Sequence, residues 1–133
     1  MIRILFSVFT ILHGLVHLLY LGQSARFFEL KPGLTWPDGS WAISKFLGDE
    51  STRMLASVFM IIAALTFVMG GVGFLTKQTW WRLITIAAAV ISSIVYLLLW
   101  DSSFESLADN GWVGIAINVA FIVAMVIFDW LKL

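Results

Sequence analysis

Apolar residues dominate four stretches of the chain, and shorter segments richer in polar and charged residues separate them. The apolar stretches cover residues 2–21, 54–75, 80–100 and 112–131. Each is about 20 residues long, the length that an α-helix needs to cross a hydrocarbon layer about 30 Å thick. The pattern predicts an all-α polytopic membrane protein, with four transmembrane helices in one up-down bundle and a single domain over residues 1–133.

The first connection, residues 22–53, is too long for a turn and too short for a domain. It is rich in aromatic residues with lysines among them, namely Phe27, Phe28, Trp36, Trp41, Phe46, Lys31 and Lys45. Such a mixture is typical of the headgroup layer of a bilayer. Ser40 is placed to cap a short helix from Trp41 to Leu47, ended by Gly48. We interpret the loop as an interfacial anchor, with a lid over the outer mouth of the bundle as the alternative.

Composition narrows the function classes. Hydrophobic residues make up 61% of the chain and charged residues 12%, against about 25% charged in soluble domains. Almost all residues lie in spans or their connections, so there is no room for a separate catalytic or nucleotide-binding domain. A net charge of zero gives no indication of a nucleic-acid partner. The absence of cysteine excludes disulfides, thiolate catalysis and cysteine-held metal clusters.

Basic residues in the short connections predict the orientation. Lys77 and Arg82 flank the hairpin between the second and third spans, and Arg3 and Lys132 lie at the termini. The connection 101–111 carries only acidic charges. By the positive-inside rule, both termini and the Lys77 hairpin lie in the cytoplasm.

Polar residues within the spans follow helical periodicity. The first stripe contains Thr10, His13, Gly14 and His17; the second contains Thr85, Ser92, Ser93 and Tyr96; the third contains Gly111, Gly114, Asn118, Met125 and Asp129. Polar groups facing lipid are costly, so the three stripes should face protein or a water-filled cavity.

Depth along an up-down bundle predicts which of these residues meet. His17, Tyr96 and Asn118 should share the outer half of the bundle. His13, Ser92 and Ser93 should lie about one turn deeper, with the Trp100-Asp101 pair at the mouth. The predicted ligand- or cofactor-binding set is therefore His13, His17, Ser92, Tyr96, Asn118 and Asp101.

Two histidines four residues apart present their rings on one helix face, a pattern that can hold a transition metal. His13 and His17 are thus candidate metal ligands, although the spans supply no deep carboxylate to complete a site. A haem held by two histidines would need a second copy of the chain, because both rings lie on one side. The alternatives are a quinone-like amphiphile bound at His17 and Tyr96, and histidines that only fix helix register through hydrogen bonds.

The fourth span also carries a ridge of small residues. Ala116, Ala120 and Ala124 recur every fourth residue, about 160° from Asn118 for the first two of them. Small residues let membrane helices approach closely. We interpret the ridge as a packing interface for a second protomer or a larger membrane complex, with packing inside the bundle or contact with lipid as the alternative.

Several short motifs carry a resemblance. The segments His13-Gly14-Leu15-Val16-His17-Leu18, Trp80-Trp81-Arg82, Trp100-Asp101 and Gly114-Ile115-Ala116-Ile117-Asn118 resemble an uncharacterised family of small four-span prokaryotic integral membrane proteins. More distantly, the architecture is similar to DoxX-like four-helix proteins, which are often found beside oxidoreductases. The resemblance implies the fold and a prokaryotic cell membrane. It also implies that an acid often stands where this chain has Asn118, which disfavours proton handling here.

Two function classes follow from the sequence. The first is a non-enzymatic accessory or interaction subunit of a membrane assembly, with the lipid bilayer and a homo-oligomer or larger complex as partners. The second is a binder of haem, metal or a quinone-like amphiphile at the His13 and His17 face. Transport is disfavoured, because no acid lies deep in a span and neither proline interrupts one.

Overall fold

The structure is a computed structural model that describes residues 1–130 and 132. It contains four α-helices, α1 (Ile2–Ser24), α2 (Ser44–Leu75), α3 (Trp81–Leu98) and α4 (Trp112–Trp130), with one 3₁₀ turn (Ala108–Asn110) before α4. All four α-helices are long and apolar enough to cross a membrane. The predicted all-α class with four membrane-spanning helices is confirmed.

The helix ends differ from the predicted span ends. The first helix runs on to Ser24, and α3 stops at Leu98. The second helix begins at Ser44, well inside the segment predicted as loop. Hydropathy marks the apolar part of a helix only, so polar turns at its ends are missed. Residue 131, the predicted end of the last span, lies outside the described residues.

Gly48 breaks the regular geometry of α2. Its φ of 78° and ψ of 169° are non-helical and lie in a region that essentially only glycine adopts. The helical turn before it covers Ser44–Leu47, so the predicted Trp41–Leu47 helix is shorter than expected. The Ser40 hydroxyl accepts a hydrogen bond from the Ile43 N–H at 3.2 Å. Ser40 is therefore not the cap of the helical turn, whose N-cap position is Ile43; its hydroxyl stabilises the turn that leads into it.

Glycines bring α1 and α2 close together. A Cβ atom added to Gly14 would lie 2.8 Å from Cβ of Phe67, and one added to Gly71 would lie 2.9 Å from the carbonyl oxygen of Ser7. No side chain fits at either position without a shift of the neighbouring helix. The pair is thus packed backbone against backbone, as small residues allow in membranes.

The contact between α1 and α4 is of a different kind. It is made by long side chains, with the Phe6 ring 5.5 Å from Phe121 and 4.9 Å from Phe128. The span of α4 is the least buried of the four and that of α2 the most.

The bundle core forms three layers. We call the end of the bundle with the α1–α2 connection the outer end and the end with the α2–α3 hairpin the inner end. The outer layer contains Trp36, Met60, Tyr96 and Leu99; the middle layer contains Phe67, Ala88, Ala89 and Phe121; the inner layer contains Phe74, Trp81, Met125 and Phe128.

The connection between α1 and α2 folds over the outer end of the bundle. The Trp41 backbone N–H donates to the carbonyl of Trp100 at 2.9 Å, and its indole N–H donates to the carbonyl of Leu97 at 2.7 Å. The Ser40 hydroxyl donates to the carbonyl of Leu98. The last carbonyls of a helix have no partner within it, so the loop completes the end of α3.

Side chains at the end of α1 hold the other half of the loop. The Gln23 amide donates to the carbonyls of Leu34 at 2.9 Å and Trp36 at 3.2 Å, and its oxygen accepts from the N–H of Leu30 at 2.8 Å. Trp36 is consequently buried over the outer core layer, with its ring 5.2 Å from that of Tyr20. This is the geometry of a cover over the mouth of the bundle.

Candidate functional site

The polar stripes of α1, α3 and α4 meet in the interior between the outer and middle core layers. His13, His17, Ser92 and Asn118 are all buried, and the most exposed of them, His13, shows 6% of its surface. Their side chains are joined by hydrogen bonds across three helices. We call these four residues the histidine circuit.

The direction of each hydrogen bond follows from its partners. The Nδ1 atom of His17 lies 3.0 Å from the carbonyl oxygen of His13. A carbonyl oxygen only accepts, so Nδ1 carries the proton, and Nε2 of a neutral His17 is an acceptor. The Ser92 hydroxyl, 2.8 Å from that Nε2, therefore donates to it.

Asn118 continues the circuit to the other histidine. Its Nδ2 donates to the hydroxyls of Ser92 and Ser93, each at 3.1 Å. Its Oδ1 lies 2.9 Å from Nε2 of His13, which must then be protonated. The Ser93 hydroxyl donates to the carbonyl of Ala89 at 2.7 Å, so it is available as an acceptor for Asn118. This fixes the orientation of the amide.

The resulting chain of donors is closed. It runs from the His13 imidazole to Asn118, from Asn118 to Ser92, from Ser92 to His17, and from His17 back to the main chain of His13. His13 donates from Nε2 and His17 donates from Nδ1, so the two rings use different nitrogens as donors. A satisfied network of this kind is expected to hold its helices in one register.

Aromatic rings enclose the circuit. His17 stacks on Phe67 with ring centroids 5.4 Å apart and lies 5.7 Å from Tyr96. His13 packs against Phe67 at 4.8 Å and Phe121 at 5.3 Å. The Tyr96 ring packs on Gly111 and Gly114 at the start of α4; a Cβ atom added to Gly111 would lie 2.2 Å from the ring, and one added to Gly114 would lie 3.3 Å from it. Glycine in the third polar stripe thus makes room for a ring.

Six residues were predicted as one binding set, and the structure brings five of them together. The predicted depths need correction, because Asn118 bonds to His13 and His17 bonds to Ser92. The cause is the position of the helix ends. The first helix extends to Ser24, which places the histidines deeper from its end, and α3 stops at Leu98, which places Ser92 nearer its own.

Asp101 is the sixth residue, and it does not join the circuit. It is exposed in the connection after α3, where its carboxylate accepts from the N–H of Ser103 at 2.8 Å and from the hydroxyl of Ser106 at 3.4 Å. The short side chain folds back on its own turn, as is common for aspartate at a loop start.

The fit of a metal or haem to His13 and His17 depends on their ring nitrogens. Both nitrogens of His17 and the Nε2 of His13 are engaged in hydrogen bonds. The two rings lie 5.2 Å apart, nearly perpendicular. Within the described chain, no group of three or more His, Cys, Asp or Glu side chains is placed to hold a metal ion. An iron or other metal at His17, or at Nε2 of His13, would have to displace part of the circuit.

Four grooves open between neighbouring helices in the described part of the chain, and neither histidine lines any of these four. One groove of about 260 Å³ lies between α1 and α4 and is lined by Phe6, Phe9, Ile117, Ala120, Phe121 and Ala124. Ala120 and Ala124 of the predicted small-residue ridge thus lie at this opening, and Ala116 is exposed beside it.

Three buried polar atoms near the outer mouth were not predicted as binding groups from the sequence, although Trp36 was named there as an interfacial aromatic residue. Among the described residues, the indole N–H of Trp36, the side-chain oxygen of Asn110 and the indole N–H of Trp112 are buried without a hydrogen-bond partner. Gln23, which holds the loop, was also missed. The only sequence signal for it was an uncharged polar residue with two donors and an acceptor at the end of an apolar stretch.

Similarity to known proteins gives no further guidance. Comparison of the chain with protein-family models, with curated proteins and with solved structures gave no match. The site is therefore interpreted from its own geometry.

Proposed function

We propose that this protein is a non-enzymatic accessory subunit of a membrane assembly. The observation that carries the proposal is the closed histidine circuit, in which the polar side chains of three spans satisfy one another. Groups bonded in this way hold helices in place, and they leave Nδ1 of His13 as the one ring nitrogen of the two histidines outside the circuit. A rigid bundle with an apolar exterior is suited to packing against other membrane proteins.

The groove between α1 and α4 is the proposed surface on which the partner packs. A groove of about 260 Å³ is lined by Ala120 and Ala124 on one side and Phe6 and Phe9 on the other. Small residues beside aromatic side chains provide both close approach and contact area for a foreign helix. The partner is a second protomer or another subunit of a larger complex.

Substitution of Ala120 by Trp tests this surface. The indole would fill the groove and separate the partner helix, so native mass spectrometry of gently extracted protein should show loss of the assembly. The matched control is Val119→Trp, which adds a bulky ring to an exposed neighbouring position about 100° around the helix. An assembly unchanged by Ala120→Trp, or equally disrupted by both substitutions, would contradict the proposed surface.

The cofactor alternative has its own test. Gently purified protein is compared with a His13→Ala, His17→Ala double variant by visible absorption and metal analysis. The accessory proposal expects a colourless, metal-free preparation that retains its partners. A visible band or stoichiometric metal that disappears in the double variant would overturn it in favour of a haem or metal protein.

A second candidate function is the binding of a small polar ligand under the loop. The unpaired indole N–H of Trp36 and side-chain oxygen of Asn110 favour it, because buried polar groups normally have partners. The indole N–H of Trp36 would bind an acceptor group of a ligand, and the side-chain oxygen of Asn110 would bind a donor group. Organic extraction of the purified protein followed by mass spectrometry should then recover a compound that Trp36→Phe no longer retains. Equal recovery from both proteins, or none from either, argues against this candidate.

The short connections support the proposed orientation, because the α2–α3 hairpin carries Lys77 and the α3–α4 connection carries no basic residue, while lysine and arginine are equal in number at the two ends. The end of the bundle that holds both termini and the α2–α3 hairpin carries four basic residues and one acidic residue: Arg3, Lys77, Arg82, Lys132 and Asp129. The other end carries four basic and seven acidic residues. By the positive-inside rule we place both termini in the cytoplasm of a prokaryotic cell. We also propose that this protein is related to the small four-span, distantly DoxX-like membrane proteins that its sequence resembles.

A further inference from the structure

The segment Trp41–Leu47 carries large apolar side chains on its outer surface. Phe46 is 85% exposed, Leu47 is 54% exposed and Trp41 is 44% exposed. Trp41 lies in the connection between α1 and α2, and Phe46 and Leu47 lie in the first turn of α2. The segment is attached to α3 through the backbone and indole N–H groups of Trp41.

That attachment fixes the depth of the segment relative to the spans. The third helix contains 18 residues, which at 1.5 Å per residue corresponds to about 27 Å, close to the thickness of the hydrocarbon layer. Leu97 therefore lies at the outer boundary of the hydrocarbon. Trp41, which donates to the Leu97 carbonyl at 2.7 Å, lies at the same level.

Helical geometry sorts the side chains of the segment. The N–H groups of Phe46 and Leu47 donate to the carbonyl of Ile43 at 3.1 and 3.0 Å, so the turn is helical from Ile43 onward. Residues three and four apart share a face, which groups Ile43, Phe46 and Leu47. Lys45, two residues after Ile43, points to the other side. Gly48 then separates this turn from the span that follows.

Beneath the turn lies an apolar groove between α2 and α3. It has a volume of about 170 Å³ and is lined by Ile43, Phe59, Ile91, Ile94, Val95, Leu98 and Leu99. The α3 members are spaced as one stripe along the helix, from its outer end inward. Ile91 and Ile94 are exposed on the lipid-facing side, so the groove is continuous with the surface that the hydrocarbon covers.

We propose that Trp41–Leu47 is an interfacial lipid-binding element. Phe46 and Leu47 insert at the outer boundary of the hydrocarbon, Lys45 faces the headgroups, and the groove beneath holds an acyl chain of an outer-leaflet phospholipid. Amphipathic segments bind bilayers in this way, through buried apolar area on one face and cationic groups on the other.

Site-directed spin labelling tests the proposal directly, since the chain contains no cysteine. Single variants Phe46→Cys, Lys45→Cys and Ile94→Cys are labelled with a nitroxide and reconstituted in phosphatidylcholine and phosphatidylglycerol vesicles. Power saturation then compares collisions with oxygen, which concentrates in hydrocarbon, and with a water-soluble nickel chelate. Val119→Cys provides a lipid-facing reference on α4.

Labels at positions 46 and 94 should resemble the Val119→Cys reference, with several-fold greater access to oxygen than to nickel. The label at position 45 should show the reverse. If position 46 is as accessible to nickel as position 45, the segment lies in water and the proposal fails. Protection of positions 46 and 94 from both reagents would mean that protein, such as a second copy, covers this face, which also overturns it. Phe46 is exposed, so its replacement removes no core packing.

Discussion

Asn118 uses its side-chain oxygen and both amide hydrogens on two other helices. The oxygen accepts from His13, and the amide donates to Ser92 and Ser93. An aspartate at this position would lack the donors, and an apolar residue would lack both functions. At the residue scale, the polar interior depends on this amide more than on either histidine alone.

Replacement of Asn118 by Leu should therefore destabilise the bundle. It removes three interhelical hydrogen bonds, and at about 0.6 kcal/mol each the loss is about 2 kcal/mol. Reversible unfolding in mixed micelles, followed by circular dichroism, measures the free energy of unfolding. Ser93→Ala is the matched control and should cost less than half as much. Equal stability of Asn118→Leu and the wild type would show that the circuit contributes nothing.

The two histidines should carry their donor protons on different ring nitrogens. The circuit requires the proton of His13 on Nε2 and that of His17 on Nδ1, because each faces an acceptor-only oxygen. Solid-state ¹⁵N NMR of histidine-labelled protein in lipid distinguishes protonated from bare ring nitrogens. A bare Nε2 on His13, or a bare Nδ1 on His17, would contradict the derived directions.

Three different kinds of contact join the helices. Glycine allows α1 and α2 to touch, aromatic rings fill the wider space between α1 and α4, and the loop closes the end of α3. A change at each interface should consequently have a different effect. Tight interfaces tolerate no added volume, whereas a capped end is sensitive to loss of a donor.

Gly71→Ala should destabilise the protein by about 1–3 kcal/mol, the usual cost of overpacking. The added methyl group would lie 2.9 Å from the carbonyl oxygen of Ser7, a rigid part of α1. Gly114→Ala is the control, since its nearest neighbour would be a Tyr96 ring atom at 3.3 Å. The unfolding assay used for Asn118 applies here. A larger cost at Gly114 than at Gly71 would mean that the α1–α2 contact is looser than described.

Trp41→Phe should loosen the end of α3 and leave the rest of the bundle intact. The substitution retains an aromatic ring but removes the indole N–H that the Leu97 carbonyl accepts. Hydrogen exchange of peptides covering residues 96–101 should become several-fold faster, because the last helical turn loses a partner. Peptides from the middle of α2 provide the internal control. Unchanged exchange at the end of α3 would rule out a capping role.

At the scale of the whole molecule, charge is distributed unequally between the two ends. Acidic residues outnumber basic ones only at the end that contains the long loop and the α3–α4 connection. Lysine and arginine are equal in number at the two ends, so the predicted direction of insertion rests on the short connections, where the α2–α3 hairpin carries Lys77 and the α3–α4 connection carries no basic residue. That direction is independent of the internal packing, so it can be tested in living cells.

Single cysteines report the orientation, because the native chain has none. In intact cells a membrane-impermeant maleimide should label Glu105→Cys, whereas Gln78→Cys should react only after permeabilisation. Both positions are exposed, so access to reagent depends on the side of the membrane alone. Labelling of Gln78→Cys in intact cells would reverse the proposed topology.

The sequence was sufficient for the spans and for the inward faces of His13, His17, Ser92 and Asn118. Both follow from one rule, the cost of exposing polar groups to hydrocarbon. The sequence did not predict the relative depths of the site residues in the bundle, and it did not predict how the α1–α2 connection folds. Helix ends depend on long-range partners such as Gln23 and Trp41, which leave no periodic signal. The exclusion of Asp101 has a different origin, since its hydrogen-bond partners belong to its own turn.

The spacing of the circuit along the chain has a consequence for biosynthesis. Its first member is His13 and its last is Asn118, so the ribosome must complete most of the polypeptide before the ring of donors can close. Until then, the nascent chain carries an unmatched imidazole in the lipid phase. Truncated products that end before residue 112 should therefore be recognised and degraded by membrane proteases, which provides the cell with a built-in check on full-length synthesis.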